Sequence, residues 1–256
     1  MQARIVGASR GARWLGEGWQ LFRAAPLGWL ALVFAYWLIM TVVSLVPYAG
    51  IAAAAVLVPA FSVGFMAAAR AAERGARLEL KLLFDGLRNS PGAQIALGCA
   101  YFGCLAAVLG ATALADGGAL ASWMLTGRRP EDAVLQSGEF LAAMVVAAAA
   151  YAPVMMMFWF APPLAAWHAT APAKALFFSA AACAMNWRAF IAYGAVAALV
   201  TLVLPFLLLS ALMLVSGGAL RTPAMALVFP LLILLLPTLF ASFYASYRDV
   251  FAAGGQ

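Results

Sequence analysis

Charge is the first thing this sequence lacks. Of its 256 residues only 9% are Asp, Glu, Lys or Arg, against about 25% in an ordinary soluble domain. Too few charged groups remain to hydrate a 26.8 kDa globule of mean hydropathy +1.00, so lipid has to solvate most of the chain. Cysteine is sparse as well. Cys99, Cys104 and Cys183 make an odd count with no C-x-x-C, and the first two, five apart, point about 140° from each other on a helix. Three reduced, structural thiols are expected. Histidine occurs once, as His168 beside Trp167; this reads as an interfacial residue and supplies no metal site.

Long uncharged runs are what the chain has instead. Residues 24–69 carry no charge over 46 positions, whereas a cleavable signal needs an apolar core of only roughly 7 to 15. At about 20 residues per crossing the run holds two helices, broken at Val46-Pro47-Tyr48-Ala49-Gly50. A third span covers roughly 93–115 and ends at Asp116-Gly117-Gly118. The fourth starts at Phe140 and is closed by Pro162-Pro163. A fifth lies within the uncharged stretch 189–220, and Arg221, Thr222 and Pro223 turn the chain into a sixth, 223–247, that ends at Arg248-Asp249. The expected fold is all-α: a polytopic membrane helical bundle, a single integral membrane domain over 1–256, with six transmembrane helices as three hairpins and interfacial amphipathic helices.

Basic residues near span ends set orientation, and acids contribute little. One side collects Arg4, Arg10, Arg13, Arg23, Arg70, Arg74, Arg77, Lys81, Arg88, Lys174, Arg188 and Arg248, the other only Arg128, Arg129 and Arg221. Both termini are therefore expected in the cytoplasm. Although the net charge is +6, the cations are spaced as membrane loops, which argues against nucleic acid as a partner.

A threefold repeat is faintly visible. Pro59, Pro163 and Pro237 each precede a basic residue by eleven positions (Arg70, Lys174, Arg248), and an aromatic or amphipathic stretch precedes each odd span, at 14–22, 78–87 and 175–187.

The most organised charged feature is the segment 70–88. Taken as one helix, Arg70, Arg74, Arg77, Lys81 and Arg88 fall within about 60° of arc beside Leu80, Leu83, Phe84 and Leu87. Such a stripe fits anionic lipid headgroups, at about 1 kcal/mol per cation near the surface; a solvated positive-inside anchor is the plainer reading. Gly75 and Gly86 weaken a continuous helix. At 11–22, Trp14, Leu15, Trp19 and Phe22 share a face, as an aromatic belt anchor would.

Ionisable groups within spans mark ion paths, relays or catalysis, and the proposed spans hold none near mid-membrane. Protease-like aspartate pairs, H-E-x-x-H and an intramembrane serine with histidine are all missing. No enzyme and no cofactor are expected. Pro59, Pro153, Pro205, Pro230 and Pro237 fall inside spans, where each frees a carbonyl that a neighbour, water or ligand satisfies. Gly103, Ala107 and Ala111 suggest a close helix contact. The run Met155 to Phe160 offers a soft apolar surface to lipid, a helix or a ligand.

Trp14 to Phe22 followed by Pro26, Lys174-Ala175-Leu176-Phe177-Phe178-Ser179 leading to Asn186-Trp187-Arg188, and Ser246-Tyr247-Arg248-Asp249-Val250-Phe251 together resemble an uncharacterised bacterial family of six-span inner-membrane proteins. A weaker likeness is to the membrane domains attached to some glycerophosphodiester phosphodiesterases. The resemblance implies the bacterial inner membrane and no established activity. Two functions stay open: a non-enzymatic assembly or lipid-interacting factor whose partners are membrane lipids, anionic ones in particular, and a transporter of a neutral or amphipathic solute.

Overall fold

Inside a bilayer no water satisfies the backbone, so uncharged runs of this length close their hydrogen bonds as helices. A computed structural model describes residues 3–47, 49–216 and 221–251, and their side chains apart from those of 221–232. Among the described residues every regular element is helical. In chain order they are α1 (Ala8–Ala24), α2 (Pro26–Ser44), α3 (Gly50–Glu73), a 3-10 turn (Leu80–Phe84), α4 (Asp85–Asn89), α5 (Pro91–Asp116), α6 (Ala119–Thr126), α7 (Asp132–Leu135), α8 (Gly138–His168), α9 (Pro172–Met185), α10 (Trp187–Ala198), a π turn (Leu199–Val203), α11 (Leu204–Val215) and α12 (Arg221–Phe251).

Among the described residues five helices are long and apolar enough to cross a membrane: α2, α3, α5, α8 and the continuous helix Trp187–Val215 that joins α10 to α11. The expected sixth corresponds to α12, 31 residues long. Arg221, Thr222, Pro223 and Pro230 have side chains outside the described residues, as does Tyr48 of the first break. Asp116-Gly117-Gly118 ends α5 as expected, with both glycines in the left-handed region at φ 64° and 95°, where a side chain would be strained. Pro162-Pro163 do not close the fourth span. α8 runs through them to His168.

Near the proline pair one neighbouring side chain repairs an opened rung of α8 and another caps a carbonyl. The Ser179 hydroxyl of α9 accepts from Phe160 N–H at 2.9 Å and donates to Met156 C=O at 2.7 Å. It thus stands between the two groups that a helix would pair directly. Gln94 of α5, wholly buried, donates Nε2–H to the Pro162 carbonyl at 3.0 Å.

Three short helical segments each lead into a long one through a single residue. Ala25 (φ −151°, ψ 62°) and Ser90 (φ −152°, ψ 60°) share one backbone conformation, and Asn186 (φ −105°, ψ 20°) departs from it. A proline at the next position pushes a residue out of the α region, and Pro26 and Pro91 do this at the first two joints. The joint carbonyls accept from Trp29, Gln94 and Phe190 N–H. Seven residues beyond each joint, Leu32, Leu97 and Tyr193 are buried. The amphipathic half of the repeat is therefore realised as α1, Leu80–Asn89 and α9. Its proline-to-cation half is not: Arg70 and Arg248 end α3 and α12, whereas Lys174 lies in α9 beyond a break at Ala169.

The first short helix differs from its expected place. Trp14, Leu15 and Phe22 are buried against protein, and Trp19 alone of that face is exposed. Gly11 and Gly18 explain the difference. A Cβ at Gly11 would meet the Ala189 carbonyl oxygen at 1.9 Å, and one at Gly18 the Thr238 oxygen at 2.4 Å, so α1 is wedged between α10 and α12. Close contact also occurs at Gly98, where a Cβ would lie 1.9 Å from the Val56 oxygen, and not at Gly103, which has open space around it. Gly103 and Ala107 are exposed. α5 turns its Gly98 face, not the Gly103 face, toward α3.

Candidate functional site

The ends of α1, α3, α4, α8 and α12 converge, and this basic end holds most of the charge. Asp249 accepts two hydrogen bonds from the Arg10 guanidinium, at 2.8 and 2.7 Å, and a third from Trp14 Nε1 at 2.8 Å. Such forked pairing is stronger and more directional than a point contact. Arg10 also pairs with Glu17 at 3.0 Å. Glu17 in turn pairs with Arg248, which reaches Glu73 of α3, whose other oxygen accepts from Tyr244 at 2.7 Å. Two guanidinium groups and three carboxylates thus form one chain across α1, α12 and α3. The Asp249 hydrogen bond raises Arg10 above its ordinary range.

Beside this hub the N-terminal segment is fastened to the third joint. The Asn186 side chain accepts from Val6 N–H at 2.7 Å and donates to the Arg4 carbonyl at 2.9 Å, while Arg4 N–H donates to Val250 C=O at 2.9 Å. Trp14 packs its ring on Phe190 and Tyr193, with centroids 5.3 and 5.9 Å away. All three segments that carried the family resemblance therefore meet here. Glu73 and Tyr244 belong to no motif in the sequence, and Glu17 reads there only as a residue off the aromatic face of 11–22. Their available signal was scarcity, since five acids stand on a side with twelve cations.

The remaining two acids of this end are also engaged. Glu79 pairs with Lys81 at 2.7 Å, and Asp85 accepts from Trp167 Nε1 at 3.2 Å.

The 70–88 segment is not one helix. α3 stops at Glu73, Gly75 turns at φ 67°, and the chain resumes as a 3-10 turn at Leu80. That left-handed residue removes the common arc the five cations would have shared. Arg70 is partly buried, its guanidinium 4.2 Å over the Trp167 ring. Arg74, Arg77, Lys81 and Arg88 are exposed, and among the described residues Arg74, Arg77 and Arg88 make no ion pair. His168 lies 2.6 Å from the Tyr247 hydroxyl. Among the described residues no group of three or more His, Cys, Asp or Glu could hold a metal. The three cysteines are free, and burial pushes the Cys183 thiol up to about 12, leaving it a poor nucleophile at neutral pH.

Two hollows adjoin the repaired stretch of α8. One, of about 170 Å³, lies between Pro59 and Ser62 of α3, Tyr101 of α5, and Tyr151 and Pro162 of α8; the two tyrosine hydroxyls are 3.0 Å apart. The other, of about 580 Å³, opens between α8, α10 and α12. Met155, Trp159 and Phe243 border both. Trp159 is held by a 3.0 Å hydrogen bond to Ser246 and by Phe243, 4.6 Å away. The Met155-to-Phe160 run thus serves two purposes: Met155, Met156 and Trp159 line the larger hollow, while Phe160 is buried against Phe190 and Phe251.

Comparison with known proteins finds the probable inner membrane protein BTH_II0599 of Burkholderia thailandensis, 41% identical over 257 residues that cover 98% of this chain and 94% of that protein. No family model matches the chain, and no solved structure matches it.

Proposed function

Because the chain belongs to the inner-membrane protein family of that Burkholderia thailandensis relative, we propose that it is a non-enzymatic, lipid-interacting assembly factor. In this reading it crosses the inner membrane six times, with α12 as the sixth span and both termini in the cytoplasm. One observation carries it: the charges of the basic end fall into two classes. Asp249, Glu17 and Glu73 are engaged with Arg10 and Arg248 in holding α1, α3 and α12 together. Arg74, Arg77 and Arg88 stay exposed and, among the described residues, without an ion pair, as surface cations that meet anionic headgroups do.

The test replaces Arg74, Arg77 and Lys81 by glutamine and measures the anionic lipid that co-purifies. The anionic share should fall, with insertion intact, since nine of the twelve cations remain. Unchanged lipid in a normally inserted variant would reduce the segment to a solvated anchor. Orientation is read separately: cysteine placed at Gly127 should react with an impermeant thiol reagent on intact cells, and cysteine at Ser90 should not.

A transporter of a neutral or amphipathic solute is the second reading, favoured by the hollow between Pro59 and Pro162 and its paired tyrosine hydroxyls. Saturable flux in proteoliposomes would establish it over the first.

A further inference from the structure

The larger hollow has the dimensions and chemistry of a lipid site. Trp187, Gly194 and Thr201 lie along one wall, with Met156 and Trp159 of α8 and Phe243 of α12 opposite. From Trp187 to Thr201 the helix rises about 21 Å at 1.5 Å per residue, more than the ~15 Å depth of one leaflet of a ~30 Å hydrocarbon core. The crevice exists because the helix Trp187–Val215 touches the rest of the bundle chiefly through α1, and Gly194 leaves its middle empty. A Cβ added there would have no atom within 4 Å.

Its end nearest the basic side carries a cation. The Arg188 guanidinium stands 5.3 Å over the Trp187 ring, which itself lines the crevice. Arg188 is exposed, and among the described residues it makes no ion pair. An apolar channel one leaflet deep, with an unpaired guanidinium stacked on an interfacial tryptophan at its mouth, matches the two halves of an anionic phospholipid. We infer that this crevice between α8, α10 and α12 holds one acyl chain of an anionic glycerophospholipid whose phosphate is met by Arg188. The inference shares the lipid-interacting reading above, but it rests on different residues from the 70–88 segment.

The full chain, purified in detergent and stripped of lipid, is titrated with phosphatidylglycerol and with phosphatidylethanolamine, and bound lipid is counted by native mass spectrometry. Gly194→Phe fills the crevice from a position with room for it and should weaken the tightest site at least fivefold for both lipids. Ala197→Phe, one turn on, is a second plug and should do the same. Arg188→Gln should weaken phosphatidylglycerol about fivefold, the effect of about one surface cation, and leave phosphatidylethanolamine within twofold. Gly103→Phe, exposed on α5, is the control and should change nothing. Wild-type binding in both plugged variants would overturn the inference. So would a plugged variant that loses a dimer rather than a lipid, since a second copy would then be the occupant. The triple glutamine variant of Arg74, Arg77 and Lys81 separates the two readings: it leaves this tightest site intact even where it depletes the surrounding anionic lipid.

Discussion

Two long helices of this protein are both strongly apolar and are packed in opposite ways. α3 has a mean hydropathy of 2.1 over its best window, and 56% of that window is buried; the helix Trp187–Val215 reaches 2.7, and none of its window is buried. Hydropathy thus marks which segments enter lipid and says nothing about which helix the bundle encloses, because lipid tails are as apolar as leucine. One difference is a close backbone approach on α3. Beside the buried Phe61, Phe65 and Met66, α3 presents Ala60, Gly64, Ala67, Ala68 and Ala69 to its neighbours, all buried, and a Cβ on Gly64 would meet the Leu83 oxygen at 2.3 Å. α11 presents Phe206, Leu207 and Leu208, all exposed, and Gly194 of α10 has open space around it. A small residue admits a neighbouring backbone only where one is there to be met.

The largest effect should come from spoiling that admission. Gly64→Leu drives a side chain into the backbone at Leu83 and should cost about 3 kcal/mol, seen as a much lower melting temperature in detergent. Gly194→Leu, equally a glycine in a long helix, should leave the melting temperature nearly unchanged. Equal losses would remove the distinction between the two helices.

An intermediate effect is expected at the α8 repair. Ser179→Ala deletes the hydroxyl that joins Phe160 N–H to the Met156 carbonyl, at a cost of about 1 kcal/mol. Faster hydrogen exchange confined to the neighbourhood of Phe160 would be its signature. Exchange spread evenly over the bundle would show that Ser179 merely packs.

The smallest belongs to the exposed helix. Leu208→Ala, at a position 69% exposed, should shift stability by no more than about 0.5 kcal/mol. A loss several times larger would mean that this surface is covered by something in the membrane.

Sequence alone located the long helices well and their packing poorly. Uncharged length marks a span whatever surrounds it, so α2, α3, α5, α8 and Trp187–Val215 were legible. Pro26 and Pro91 were an available but unread signal for two joints, through their effect on the preceding residue. The aromatic face of α1 was harder, because Trp14 and Phe22 look the same whether they face headgroups or protein. Gly11 and Gly18, on that face, were the discriminating residues, and glycine carries no hydropathy to betray the contact. The charge pattern of segment 70–88 reads as one helix, but Gly75, free to take φ 67°, turns the chain where the cations would have aligned. Least legible was the hub. Arg10 and Asp249 are 239 positions apart, and no periodicity connects residues at that distance.

The hub is therefore the part of the structure that most needs a direct test, and exchanging its charges supplies one. Arg10→Asp alone and Asp249→Arg alone each place like charges together at the junction of α1 and α12. Each should lower the melting temperature of the purified protein by several degrees, for roughly 1.5 to 3 kcal/mol lost with a charged hydrogen bond. In the double variant the pair is rebuilt with its signs reversed while Glu17 and Trp14 lose their partners, so the combined loss should fall short of the sum of the two single losses. If the two losses simply add, Arg10 and Asp249 are not partners, and the joining of the two ends of the chain described here is contradicted.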